Sequence, residues 1–244
     1  KCKACGGLSE TAARPYSVNR WKGDTMILAA VFDMDGLMFD TEAVGRDAWN
    51  QVGEEMGFGD LTKVNEQCLG RNKAACREIF GRVFGGKLTL DEVLAAAKPI
   101  QRRYYEEHGM PCKKGLRELL AYLKETGRKI AMATSSDRED AEWNLRKAGL
   151  REYFDALVCG DMVKKSKPDP DIYLTAAKVL GVEPGDCIGL EDSRNGILSV
   201  KNAGMHPVLV PDLIRPDAEM VAAAEVVRDD LGEVIGWNEQ FNEK

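Results

Sequence analysis

Seven residues in four separated stretches have the types and placement to do chemistry together. They are Asp33 and Asp35, Thr134 and Ser135, Lys167, and Glu191 with Asp192. Three of the stretches begin where a short apolar run stops: 27–32 before Asp33, 129–133 before Thr134, and 187–190 before Glu191. Lys167 lies in the long loop after the run that ends at Cys159. Carboxylates gathered in one place cannot all stay ionised without a cation. Hard oxygen ligands suit Mg²⁺, which takes one or two carboxylates and leaves room for phosphate oxygens. A hydroxyl, backbone N–H groups at a helix start and a lysine are phosphate partners. The set therefore reads as a place for a phosphate ester held against a metal ion.

The elements that must position these residues follow from pattern. Short apolar runs at 27–32, 129–133, 156–159, 187–190 and 207–210 have the length and composition of buried strands. Helical patterns separate them. Leu116, Leu119, Leu120 and Leu123 mark one helix face, with Gly127 placed to end it. Ser136 with Glu139 three residues on is a capping-box signal for a helix running to Gly149. Pro170 and Gly181 bracket a helix over 171–180, and Gly204 closes one over 194–203. Strands alternating with helices predict an α/β fold, a parallel sheet with helices on both faces. Ligands of such sheets bind outside the carboxyl ends of the strands, so the seven residues should converge.

The stretch 42–108 breaks the alternation. Val44, Ala48, Trp49, Val52 and Met56 form a helical stripe, and helical patterns follow near 72–84 and 90–107. This predicts an all-helical second domain inserted into a core made of 26–41 and 109–244. Residues 1–25 carry no sustained periodicity and no signal-peptide apolar stretch, and read as an irregular N-terminal extension. Within them Cys2 and Cys5 form a lone C-x-x-C pair, without the second pair a structural zinc site needs.

The motifs carry a resemblance. FDMDGLMFDTE at 32–42 resembles the first motif of the haloacid dehalogenase superfamily. ATSS at 133–136 resembles its second, KPDPDIY from Lys167 its third, and GLEDSRNG at 189–196 its fourth. All four occur in the family's order, and the wording is similar to the beta-phosphoglucomutase-like phosphatase subgroup. The resemblance implies a Rossmann-like core with a helical cap, and a phosphoric monoester hydrolase acting through an aspartyl phosphate. It implies Asp33 as nucleophile and Asp35 as general acid and base. It also implies Mg²⁺ held by Asp33, the Asp35 carbonyl and Asp192, with Glu191 a ligand or close outer partner. Thr134, Ser135 and Lys167 would hold the substrate phosphate. Asp35 argues against dehalogenation, because the true dehalogenases lack an aspartate there. Gly45 occupies the position where the mutases usually carry a cap histidine, which favours a hydrolase over a phosphomutase. Arg71, Lys73, Arg77, Arg102 and Arg103 are candidate specificity residues of the cap, or simply a solvated helical face.

The bulk properties agree. A chain of 244 residues can bury one sizeable core and a smaller second one. A net charge of −6 argues against nucleic acid, and no apolar run approaches a membrane span. The expected partner is a small phosphorylated metabolite, a sugar phosphate or nucleoside monophosphate, bound by a monomer or small homo-oligomer. Seven cysteines, an odd number lying mostly inside apolar or helical patterns, read as reduced thiols of a cytoplasmic protein. The segment 81–87 imitates a nucleotide-binding loop, but leucine stands at 88 where the metal-binding hydroxyl belongs. His108 and His206 sit in no recognisable nucleophile–base arrangement, which argues against a serine–histidine–aspartate hydrolase.

Overall fold

The computed structural model describes residues 26–69, 73–212 and 215–242. The N-terminal extension, with Cys2 and Cys5, and Arg71 lie outside the described residues. A six-stranded sheet forms the core: β1 (Ala29–Phe32), β2 (Lys129–Ala133), β3 (Ala156–Val158), β4 (Cys187–Glu191), β5 (His206–Leu209) and β6 (Val226–Val227), in the order β3-β2-β1-β4-β5-β6. Every neighbouring pair is parallel. This is the Rossmann-like arrangement, with the first strand at the centre.

Register sets where the chemistry emerges. Phe32 lies opposite both Met132 and Leu190, so Asp33, Thr134 and Glu191 leave the sheet at one edge. Side chains alternate along β1, because successive Cβ atoms point to opposite faces. Ala30 and Phe32 join a cluster with Leu119, Leu120 and Leu123 of α5 (Leu116–Glu125) and Leu145 of α6 (Arg138–Lys147). Ala29 and Val31 join the opposite cluster with Ile172, Tyr173 and Ala176 of α7 (Asp171–Leu180). Each fully buried large apolar side chain contributes about 1.5–3 kcal/mol, so the two layers fix the sheet between them. Helix α8 (Arg194–Asn202) lies directly on β4 at Gly189, where an added Cβ would stand 2.4 Å from a Val200 methyl carbon.

The inserted unit is helical as expected: α1 (Glu42–Glu55), α2 (Thr62–Cys68), α3 (Lys73–Phe84) and α4 (Leu90–His108). It has its own core, in which Trp49 and Phe80 meet edge to face at 5.6 Å. Thr89 and Glu92 make a reciprocal capping box that starts α4. Two segments join the cap to the sheet core, and they pair with each other. Phe39 bridges Cys112, and the Asp40 N–H donates to the Pro111 carbonyl at 2.9 Å. Gly109 ends α4 at φ +84°, a conformation that excludes side chains.

Helices α9 (Ala218–Ala223) and α10 (Glu233–Asn242) close the chain around β6. Several details differ from expectation, strand ends by a residue among them. The first strand begins at Ala29 rather than 27, within ordinary end fraying. Helices α2, α9 and α10 and strand β6 were not foreseen; α2, α9 and β6 are too short to show a period. Met56 ends α1 with 43% exposure instead of continuing the apolar stripe.

Candidate active site

The structure gathers Asp33, Asp35, Thr134, Ser135, Lys167 and Asp192 around one cavity of about 490 Å³ at the carboxyl edge of the sheet. Glu191 is completely buried behind it. The hub is Lys167. Its Nζ donates to Asp33 Oδ1 at 2.5 Å, to Glu191 Oε1 at 2.6 Å and to the Ala133 carbonyl at 3.0 Å. All three ammonium hydrogens are thus spent on protein acceptors. Burial pulls the Lys167 ammonium down, but Asp33 and Glu191 more than offset this and hold it charged.

Glu191 is fixed from both sides. Oε1 also accepts from the Tyr173 hydroxyl at 2.6 Å, and Oε2 accepts from the Ser193 hydroxyl at 3.1 Å. Ser193 in turn caps α8 by accepting from the Gly196 N–H at 3.1 Å. Gly196 must be glycine here, because a Cβ would lie 1.9 Å from the Glu191 carboxyl. Neither Tyr173 nor Ser193 was singled out in the sequence. Both lie inside the recognised motifs, six residues after Lys167 and two after Glu191, and that spacing was the available signal.

Asp33, Glu191 and Asp192 offer carboxylate oxygens all within 4.8 Å of one another. Burial is the main cause that pushes the Asp33 carboxyl up to about 7, with Lys167 opposing and Glu191 adding to the rise. Burial, followed by Glu191 and Asp33, pushes Asp192 well above the usual carboxylate range. Carboxylates so placed favour a cation or a proton, so the donor set fits a divalent metal. Among the described residues Asp192 makes no ion pair, and one Asp33 oxygen is outside the Lys167 contact. Gly36, at φ +87°, leaves room for Asp192, since a Cβ there would approach Asp192 Oδ2 to 2.3 Å.

Asp35 points elsewhere. Its Oδ2 accepts from the Ser136 hydroxyl at 2.9 Å, and Thr41 stands 3.5 Å from Oδ1. The surrounding walls push its carboxyl up, while Ser136 pulls it down. The side chain opens onto the cavity, so water offsets part of that rise. This corrects the expected capping box. The N-cap of α6 is Asp137, without a side-chain cap bond, because Ser136 is engaged by Asp35 and Glu139 by the cap. Thr134 is buried, and its Oγ1 accepts the Ser136 N–H at 3.1 Å, which shapes the loop before α6.

The cap cations divide. Lys73 lines the cavity, Arg77 is paired with Asp91 inside the cap at 2.9 Å, and Arg102 reaches α6 of the core. Glu42, the first residue of α1, also lines the cavity, and its Oε2 is buried without a hydrogen-bond partner among the described residues. Cys112, Cys159 and Cys187 are free thiols. No helix among the described residues is long and apolar enough to cross a membrane.

A parallel sheet with a helical cap, presenting crowded carboxylates and a buried lysine at its carboxyl edge, defines the class of capped phosphoryl-transfer hydrolases. The profile of the haloacid dehalogenase-like hydrolases matches residues 30–210, and the chain belongs to that family of phosphoric monoester hydrolases. It is 32% identical over 180 residues to a Thermotoga maritima protein named phosphorylated carbohydrates phosphatase, covering 74% of this chain and 83% of that one. It is 34% identical over 188 residues to the beta-phosphoglucomutase of Bacillus subtilis, covering 74% and 81%. The crystal structure of CbbY from Rhodobacter sphaeroides in complex with phosphate superposes with a TM-score of 0.74 at 30% identity, over 86% of this chain and 96% of that one. The family generally uses Mg²⁺.

Proposed function

We propose that this protein is a Mg²⁺-dependent phosphatase of a small phosphorylated metabolite, a sugar phosphate or nucleoside monophosphate, working through an aspartyl phosphate on Asp33. One observation carries the reading: Asp33 projects from the central strand into the cavity, held at 2.5 Å by Lys167 and beside Glu191 and Asp192. A carboxylate oriented by a buried ammonium is placed to attack phosphorus, splitting one hard displacement into two easier ones. Asp35 protonates the leaving oxygen and then activates the hydrolytic water, with Ser136 fixing the carboxyl between those tasks. Thr134, Ser135 and Lys167 bind the phosphoryl oxygens and balance their charge.

Asp33, Asp192 and the Asp35 main-chain carbonyl would hold Mg²⁺, which supplies charge neutralisation for the transferring group. Glu191 acts from just outside that set, because both its oxygens are engaged by Lys167, Tyr173 and Ser193. The division into core (26–41 and 109–244) and cap (42–108) gives the cap the work of excluding water and contacting the leaving group. Lys73 and Glu42 face the cavity from the cap side and are the candidate leaving-group contacts.

A phosphomutase would use the same aspartyl phosphate. Gly45 stands against it, since it offers no side chain to manage the sugar hydroxyl from the cap. The test is phosphate release from a panel of sugar phosphates and nucleoside monophosphates, with Mg²⁺ and with a chelator. Stoichiometric, metal-dependent release without isomerised product is the expected result. Isomerised product without net phosphate release would replace the hydrolase by the mutase.

A further inference from the structure

The cap meets the core through a charge cluster that phosphoryl transfer itself does not use. On α4, Lys98 Nζ lies 2.6 Å from Asp140 Oδ1 and 3.8 Å from Glu139 Oε1. One turn later, Arg102 Nη2 lies 2.9 Å from Glu139 Oε1 and 3.0 Å from Asp140 Oδ1. The Arg102 guanidinium also covers the Trp143 ring at 5.3 Å. Two cations of the cap therefore share two carboxylates of the core. Glu139 and Asp140 stand in the first turn of α6, directly after the loop in which Ser136 holds Asp35. The cluster thus clasps the cap to the element that shapes the catalytic loop.

Geometry makes this contact sensitive to cap position. Lys98 precedes Gly109, where the chain crosses between units, by about 16 Å of helix. A hinge rotation of about 20° would carry Lys98 roughly 6 Å, breaking its ion pairs. Tyr105, which packs near Trp143, lies closer to the crossing and would move only about 2 Å. The inner contact is a pivot and the outer charges are the part that opens.

The strength also suits a gate. The side chains of Lys98 and Glu139 are 40% and 75% exposed and those of Arg102 and Asp140 30% and 32%, so solvent and salt reach the whole cluster and weaken its pairs. We propose that Lys98, Arg102, Glu139 and Asp140 form an ionic latch that holds the cap closed over the phosphate site and sets the rates of substrate entry and product release. The kinetic part rests on the phosphatase reading; the closure itself does not.

The experiment measures cap–core distance by energy transfer between dyes on noncanonical residues replacing Val83 of the cap and Val179 of the core, both exposed. Wild type is compared with K98E/R102E and with K98E/R102E/E139K/D140K, at about 20 mM and about 500 mM salt. The open-to-closed ratio should rise on the order of three- to tenfold with salt in wild type. In K98E/R102E the cap should be open at both salts, and the fourfold exchange should restore low-salt closure. For a substrate that is turned over, K98E/R102E should raise KM several-fold with kcat equal or higher. Unchanged distances in K98E/R102E, or no recovery in the fourfold variant, would overturn the latch. If K98E/R102E does not fold, K98Q/R102Q is read with the same two outcomes. Absence of phosphate release in every variant would refute the phosphatase reading alone, since the distances report closure independently.

Discussion

Tyr173→Phe removes one oxygen atom from the most enclosed part of the site. The Tyr173 hydroxyl donates to Glu191 Oε1 at 2.6 Å, and both residues are completely buried. Burial and the Glu191 charge push the phenol far above its ordinary range, so it acts as a donor throughout the working pH. A hydrogen bond to a charged group contributes about 1.5–3 kcal/mol, and the phenylalanine ring otherwise fills the same space. For a chain of this size each kcal/mol moves Tm by about 2–4 °C, so the variant should melt roughly 3–12 °C lower. The same oxygen keeps its 2.6 Å contact with Lys167, so Lys167 and Asp33 should stay in place and the variant should remain folded and metal-responsive. Differential scanning calorimetry with and without Mg²⁺ measures the difference. An unchanged Tm would mean that Glu191 is not held through Tyr173, and the account of why Glu191 stays outside the metal set would fail.

Two further predictions concern the metal. Gly36→Ala places a Cβ 2.3 Å from Asp192 Oδ2 at a backbone angle unsuited to alanine, so Asp192 must move. Apparent Mg²⁺ affinity, read by titration calorimetry, should fall about 10- to 100-fold, and unaltered affinity would remove Asp192 from the ligand set. The second concerns pH. Folding raises the Asp33 pKa from 3.8 to about 7, so the metal-free protein gains from protonation at low pH. That stabilisation is complete below about 4 and is lost as pH rises through 7. Mg²⁺ replaces the proton, so the Tm gain from Mg²⁺ should be larger at pH 8 than at pH 5. An equal gain at both values would contradict the crowding of carboxylates as its cause.

The strand ends were legible because a buried parallel strand is a short apolar run with an abrupt end. Asp33, Thr134 and Glu191 each follow one, and the register brings them to a single edge. Lys167 was placed by its loop after the run ending at Cys159, and its motif agreed, but the loop has no period to fix its direction. What escaped depended on direction rather than sequence spacing. Ser136 and Glu139 satisfy a capping box on paper, yet the serine turns to Asp35 and the glutamate to Arg102. Local capping yielded there to tertiary partners of opposite need, a carboxylate seeking a donor and a guanidinium seeking an acceptor. Arg77 and Arg102 looked alike as helical surface cations, but one closes a pair within the cap and the other spans two units. Which partner a long side chain finds is a matter of packing, and a single sequence carries no record of it.

The central claim is that Asp33 forms the covalent bond to phosphorus. Phosphate release by Asp33→Asn, beside wild type and with Mg²⁺ present, tests it most directly. Loss of a covalent nucleophile costs several orders of magnitude, so the variant should fall by roughly 10³-fold or more while binding substrate and keeping its fold. Release at the wild-type rate from folded Asp33→Asn would contradict the account.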